Sequence, residues 1–180
     1  MAERGTTYTI GFATLVCLVC GVLVAGSVVG LKELQDENMR IDREKNILIA
    51  AGLIKVGDSI SGAEITARFT KDIDTIVIDR TSGAEVGISY TDFLEEKPVF
   101  DEAEVNDAKV KLLPQRYPVY RVIEGDQVVM IVLAVEGKGL WSTMKGYLSL
   151  ANDCRTIRGV SFYSHGETPG LGGEIDNASW

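Results

Sequence analysis

The sequence predicts an α+β protein in which one membrane-spanning helix precedes a soluble domain built on an antiparallel sheet. Three observations carry this expectation. No charged residue occurs between Arg4 and Lys32, an interval rich in Val, Leu, Gly and Ala. The stretch that follows places apolar residues at helical spacing. From Val119 onward, alternating or apolar runs are separated by turn residues, the pattern of an antiparallel meander.

A helix that crosses a bilayer needs roughly 20 apolar residues, and the first interval is long enough. A cleaved signal peptide is the rival, but its apolar core usually runs only about 7–15 residues behind a basic start. Here the core is longer and the start holds a single arginine, so residues 1–31 read as an anchor. Gly21-x-x-x-Ala25 and Gly26-x-x-x-Gly30 place small residues one turn apart. Such pairs admit a second helix in lipid, or they reflect only the frequency of glycine in membrane helices. Cys17 and Cys20 supply half a zinc or iron–sulfur ligand set and read as small apolar residues. Three cysteines imply no disulfide framework. A net charge of -8 argues against nucleic acid as a partner.

Residues 32–118 read as a stalk and a membrane-proximal α/β region. Leu31, Leu34, Ile41 and Leu48 recur near helical spacing up to Ala51, with Gly52 as C-cap. A second helix is expected from Ser61 to about Lys71, with Ser61 as N-cap and Glu64 at the capping-box position. Thr75–Ile78 reads as a short strand ending at Ser82-Gly83. Tyr90 to Pro118 is polar, carries prolines and the run Asp101-Glu102-Ala103-Glu104, and reads as a connecting segment with one short helix.

Residues 119–180 change character. Val119–Ile123 is a strand, Glu124-Gly125-Asp126 a turn, and Gln127–Val135 an apolar run consistent with a buried central strand. Gly137–Met144 forms a glycine-rich loop. Tyr147–Leu150 alternates, Asn152-Asp153 turns, and Thr156–Tyr163 alternates again before a second loop at Ser164–Gly172. Glycine-rich loops bring backbone N–H groups close to a flat or phosphorylated ligand. Glu174–Trp180 reads as the start of a helix, so the domain is expected to be a fragment, unfinished at Trp180.

Gly137–Met144, Thr156–Gly172 and Asp176–Trp180 resemble the FMN-binding domain found in the C-type subunit of Na+-translocating NADH:quinone oxidoreductases. Leu31-Lys32 through Ala51-Gly52-Leu53 resembles the amino-terminal part of the same polypeptide. Glu167-Thr168-Pro169-Gly170-Leu171-Gly172 marks the wider FMN-binding family, including the G-type subunit of a related ion-translocating complex; Gly139-Leu140-Trp141-Ser142 favours the C type. The resemblance implies an electron-carrying subunit of a membrane complex that oxidises NADH, reduces ubiquinone and moves Na+. It implies partnership with the other membrane subunits and with a flavin transferase. It also implies a single pass through a bacterial inner membrane with the soluble domain in the periplasm. The charge flanks point the other way, because Lys32, Arg40, Arg43 and Lys45 outnumber Arg4; interleaved acidic residues dilute that signal, and the resemblance is preferred.

In that family FMN is attached through its phosphate to the threonine of a Ser-Gly-Ala-Thr motif. Both Ser-Gly-Ala segments here continue to Glu64 and Glu85, so the attachment site is absent from these residues and is expected downstream. The resemblance implies flavin contact for Gly139, Leu140, Trp141, Glu167, Thr168, Pro169, Gly170, Leu171 and Gly172. Thr168 is suited to hydrogen-bond the ring or to brace its own loop. Leu171 and Trp141 are suited to pack on the ring, or to ordinary core packing. Glu167 either lowers the flavin potential or braces the loop through backbone N–H groups, and bracing is preferred. His165 reads as a hydrogen-bonding strut. No catalytic or metal-binding residue is expected. The rival readings are the G-type subunit, a flavin-free membrane scaffold and an isolated FMN-binding sensor.

Overall fold

A computed structural model describes residues 5–102 and 112–177. It divides into two compact units, 1–40 and 41–180. The first is helical from Thr6 onward and belongs to helix α1, Thr6–Ala50. Its side chains from Gly5 to Met39 are exposed, including Leu15, Leu18, Val22, Leu23 and Val29. An apolar surface of this length, solvated on every side, matches what lipid accommodates and water does not.

The second unit is a helix layer on one face of a five-stranded antiparallel sheet. In chain order it contains the end of α1, α2 (Gly62–Asp72), β1 (Ile73–Asp79), α3 (Tyr90–Glu95), β2 (Phe100–Glu102) and β3 (Leu112–Pro114). There follow β4 (Arg116–Glu124), β5 (Gln127–Lys138), β6 (Thr143–Ala151), β7 (Ile157–Ser164) and a 3-10 helix, Gly172–Asp176. The sheet order is β1-β4-β5-β6-β7, with β2 and β3 a separate pair. All pairings are antiparallel.

The expected caps form. α1 ends in a Schellman motif: Gly52 adopts φ 72, its N–H donates to Ile49 O, and the Leu53 N–H donates to Leu48 O, both at 2.9 Å. Ser61 caps α2 by accepting the Glu64 N–H at 3.3 Å. The Glu64 side chain pairs instead with Arg68, so the reciprocal half of the box is replaced by an i,i+4 ion pair. At the β4–β5 hairpin Gly125 takes φ 61 in a two-residue loop, the glycine-first arrangement that matches strand twist.

The core joins Ile47, Leu48, Ala50 and Ile54 with Ile65 of α2 and Ile73, Tyr120, Val122, Val132 and Tyr147 of the sheet. Fully burying one such aliphatic side chain contributes about 1.5–3 kcal/mol. Glu44, also buried, accepts the Thr66 hydroxyl at 2.8 Å and ties α1 to α2.

Two expectations are corrected. The 90–118 segment is more than a connector with one helix: it also holds β2 and β3, and Pro118 lies inside β4 opposite Val77. Proline is tolerated there because the β4–β5 ladder begins only at Val119. β5 is central, as its apolar run predicts, but only Val132 is fully buried. Successive side chains alternate between faces, and Ile131, Leu133 and Val135 are half-buried on the face away from the helices. Ala103 and Glu104 of the acidic run, and residues 178–180 of the expected terminal helix, lie outside the described residues; Glu174–Asp176 belong to the 3-10 helix.

Candidate functional site

Strand register decides where the two glycine-rich loops lie. Lys138 pairs with Thr143, and Lys145 pairs with Ser164. The β5–β6 turn and the loop after β7 therefore leave the sheet from the same end. β5 and β6 extend further than the sequence indicates, so the first loop shrinks to Gly139–Ser142, closed by Gly139 N–H donating to Ser142 O at 2.8 Å.

Hydrogen bonds in both directions join the loops. The Gly166 N–H donates to Ser142 Oγ at 2.5 Å, and the Trp141 N–H donates to Glu167 Oε1 at 3.2 Å. Within the second loop, the Glu167 N–H donates to His165 Nδ1 at 3.2 Å, so His165 braces its own turn. The Thr168 carbonyl accepts from Leu171 N–H at 3.1 Å and Gly173 N–H at 3.0 Å, which rolls the chain into the 3-10 helix. Gly170 takes φ 74, a conformation that an L side chain disfavours. It is the carbonyl of Thr168, and not its hydroxyl, that closes the turn. No hydrogen bond of that hydroxyl occurs among the described residues.

Every residue assigned to flavin contact from the sequence lies in one of these two loops. Leu140, Trp141 and Leu171 are 79%, 71% and 73% exposed, so core packing does not account for them. Three large apolar side chains held in water on loops that are tied together are suited to cover a flat aromatic ligand. The Thr168 hydroxyl and the loop amides are polar groups at the same end of the sheet. The residues present thus fit FMN in kind: apolar cover, hydroxyl and backbone donors, and no bulky side chain at Gly170 or Gly172.

An aromatic series supports β7 up to the second loop. Tyr163 stacks on Tyr147 at 5.1 Å; Tyr147 meets Tyr120 edge-on at 5.9 Å; Tyr120 meets Tyr90 at 5.7 Å. The Tyr90 and Tyr120 hydroxyls are 2.9 Å apart, and Arg43 donates to Tyr90 at 3.3 Å. Burial pushes the phenols of Tyr120, Tyr147 and Tyr163 up, so they stay neutral hydrogen-bonding groups. Beside this edge lies a cavity of about 550 Å³ lined by residues that include Asn46, Ser161, Tyr163 and Ile175.

Ser142 is absent from the residues assigned to the site by sequence, although it makes the shorter of the two inter-loop bonds. Nothing local marks it. Its partner lies 24 residues away, and the β6–β7 register alone brings them together.

Residues 139–180 match the FMN-binding domain family. The chain is 40% identical to the C-type subunit of the Na(+)-translocating NADH-quinone reductase of Pseudomonas aeruginosa, over 99% of this chain and 70% of that protein. It is 35% identical to the corresponding protein of Yersinia pestis, over 96% of this chain and 67% of that protein. The crystal structure of Shewanella oneidensis NqrC superposes with a TM-score of 0.68 at 27% identity, covering 78% of this chain and 66% of that one.

Proposed function

We propose a function from one premise: the chain belongs to the family of the C-type subunit of Na(+)-translocating NADH-quinone reductase. It is an FMN-carrying electron-transfer subunit of a membrane complex that oxidises NADH, reduces a quinone and translocates Na+. When bound, FMN supplies the electron-carrying chemistry, and the protein supplies its position and surroundings.

The observation that carries this reading is the joined pair of loops presenting exposed Leu140, Trp141 and Leu171. In this assignment Leu140, Trp141 and Leu171 cover the ring system. Thr168 donates or accepts through its hydroxyl, and the backbone of Gly139, Pro169, Gly170 and Gly172 shapes the approach. Glu167 holds the loops together. Both Ser-Gly-Ala segments continue to glutamate, so no covalent attachment point is assigned within residues 1–180.

The remaining subunits of the complex are the partners, and a flavin transferase serves the polypeptide before assembly. Residues 1–31 anchor it in the bacterial inner membrane by a single pass, with the soluble unit on the periplasmic side. The family supports this orientation against the basic flank at Lys32–Lys45. A fusion of alkaline phosphatase after Ile54 is expected to be active; an inactive fusion reverses the orientation.

The cofactor assignment is tested on the full-length polypeptide in the purified complex. Flavin absorption and fluorescence that stay with this polypeptide after denaturation are expected. Trp141→Ala and Leu171→Ala are expected to alter the visible circular dichroism of the flavin. A complex in which this polypeptide holds no flavin supports the membrane-scaffold reading instead.

A further inference from the structure

We propose that Ser142 and Glu167 are positioning residues that clasp the two loops into one FMN-binding surface. The inference rests on the flavin reading above and assigns what holds that site together.

The two bonds form a cross-stitch between adjacent pairs of residues. Gly166 of the second loop donates to Ser142 of the first at 2.5 Å, while Trp141 of the first donates to Glu167 of the second at 3.2 Å. Neither loop alone satisfies both donors. A bond in each direction resists sliding of one loop past the other. The residues on either side of the stitch are those that project into solvent: Leu140 and Trp141 from one loop, Leu171 from the other.

The glycines support the same conclusion. A Cβ at Gly139, Gly166 or Gly172 would run into one of the two clasp residues. A Cβ at Gly166 would lie 3.0 Å from both Cβ and Oγ of Ser142. At Gly172 it would lie 3.1 Å from Glu167 Cβ and 3.2 Å from its Oε2, and at Gly139 it would collide with Glu167 Oε1. Three glycines of the two motifs therefore make room for the clasp itself. Gly170, at φ 74 with nothing within 4 Å, is explained by backbone conformation instead. One oxygen of the Glu167 carboxylate accepts the Trp141 amide and the other lies against Gly172, so the group sits in the seam between the loops. Glu167 therefore acts on the cofactor by holding the loops, and its charge is incidental to that role.

The test uses the full-length polypeptide in its purified membrane complex, with Ser142→Ala, Ser142→Thr, Glu167→Ala and Glu167→Gln. Two signals are read well below the unfolding temperature: amide hydrogen exchange at Trp141 and Gly166, and the visible circular dichroism of FMN. Ser142→Ala should speed exchange at Gly166, and Glu167→Ala at Trp141, each about tenfold for loss of one hydrogen bond. Both should change the flavin signal. Ser142→Thr and Glu167→Gln keep an acceptor and should restore both readouts. If the alanine variants exchange and absorb like the parent while carrying FMN, the clasp is wrong and the flavin reading stands. If Glu167→Gln fails as badly as Glu167→Ala and shifts the FMN potential, charge and not position is the role of Glu167, and the proposal falls. A parent complex with no flavin on this polypeptide overturns the flavin reading and the clasp with it.

Discussion

Ser149 is wholly buried in β6, and its hydroxyl donates to Ala50 O, the last carbonyl of α1, at 2.6 Å. Carbonyls at a helix end lack intrahelical donors, and this one is satisfied from the sheet. Gly159 of β7 permits the approach, because a Cβ there would lie 2.5 Å from Ala50 O. Ser149→Ala strands a buried carbonyl and is expected to lower unfolding stability by about 1–3 kcal/mol. Gly159→Ala forces backbone apart and is expected to cost about 1–3 kcal/mol. Urea denaturation of the detergent-solubilised chain checks both, and parent-like midpoints would remove the helix-end contact from the account. Asp153 gives a pH dependence. Its carboxylate accepts from the Thr156 hydroxyl at 2.6 Å and from the Thr156 and Arg155 amides, bonds that hold its pKa at about 2. A depressed carboxylate pKa stabilises the fold above the unfolded value, and that contribution disappears as pH falls from about 4 through about 2. In Asp153→Asn this part of the acid dependence should vanish; an unchanged profile of melting temperature against pH would place the acid sensitivity elsewhere.

At the scale of elements, α1 serves two media. Its exposed apolar length suits lipid, whereas Ile47, Leu48 and Ala50 are buried in the soluble core. Leu48→Ala opens a cavity at a site with no exposure and is expected to destabilise by about 2–5 kcal/mol. Leu133→Ala removes the same atoms from the half-buried face of β5 and should cost clearly less. Equal losses in thermal melts would mean that both faces of the sheet are equally closed. Local chemistry makes the helix ends legible: Ser61, Gly52 and the spacing of Leu31, Leu34, Ile41 and Leu48 act within one or two turns. The β2–β3 pair escaped sequence reading because three-residue strands leave no periodicity, and their pairing depends on partners ten or more residues apart.

For the whole molecule, the decisive property is that a single uncharged interval precedes a domain with its own core. Leu18 lies near the middle of that interval and is 62% exposed. Leu18→Arg should disfavour insertion by about 2.5–3.5 kcal/mol, read as a larger fraction released from membranes by alkaline carbonate. Full retention would show that residues 1–31 do not provide the anchorage. The two loop motifs were legible in the sequence, and the structure puts both at one end of the sheet. The bonds that join them were not legible, because the sequence does not show how far β5 and β6 extend or which groups of the two loops meet.

Composition and short-range pattern were sufficient for the apolar anchor, the helix caps and the hairpin turns, because each depends on residues within a few positions of one another. Long-range register alone established that Ser142 meets Gly166, that Glu167 fills the space left by Gly139, and that Ser149 and Gly159 receive the end of α1. The Ser142–Gly166 and Ser149–Ala50 contacts span 24 and 99 residues of sequence, and a hydroxyl or a missing Cβ carries no mark of its distant partner until the strands have paired.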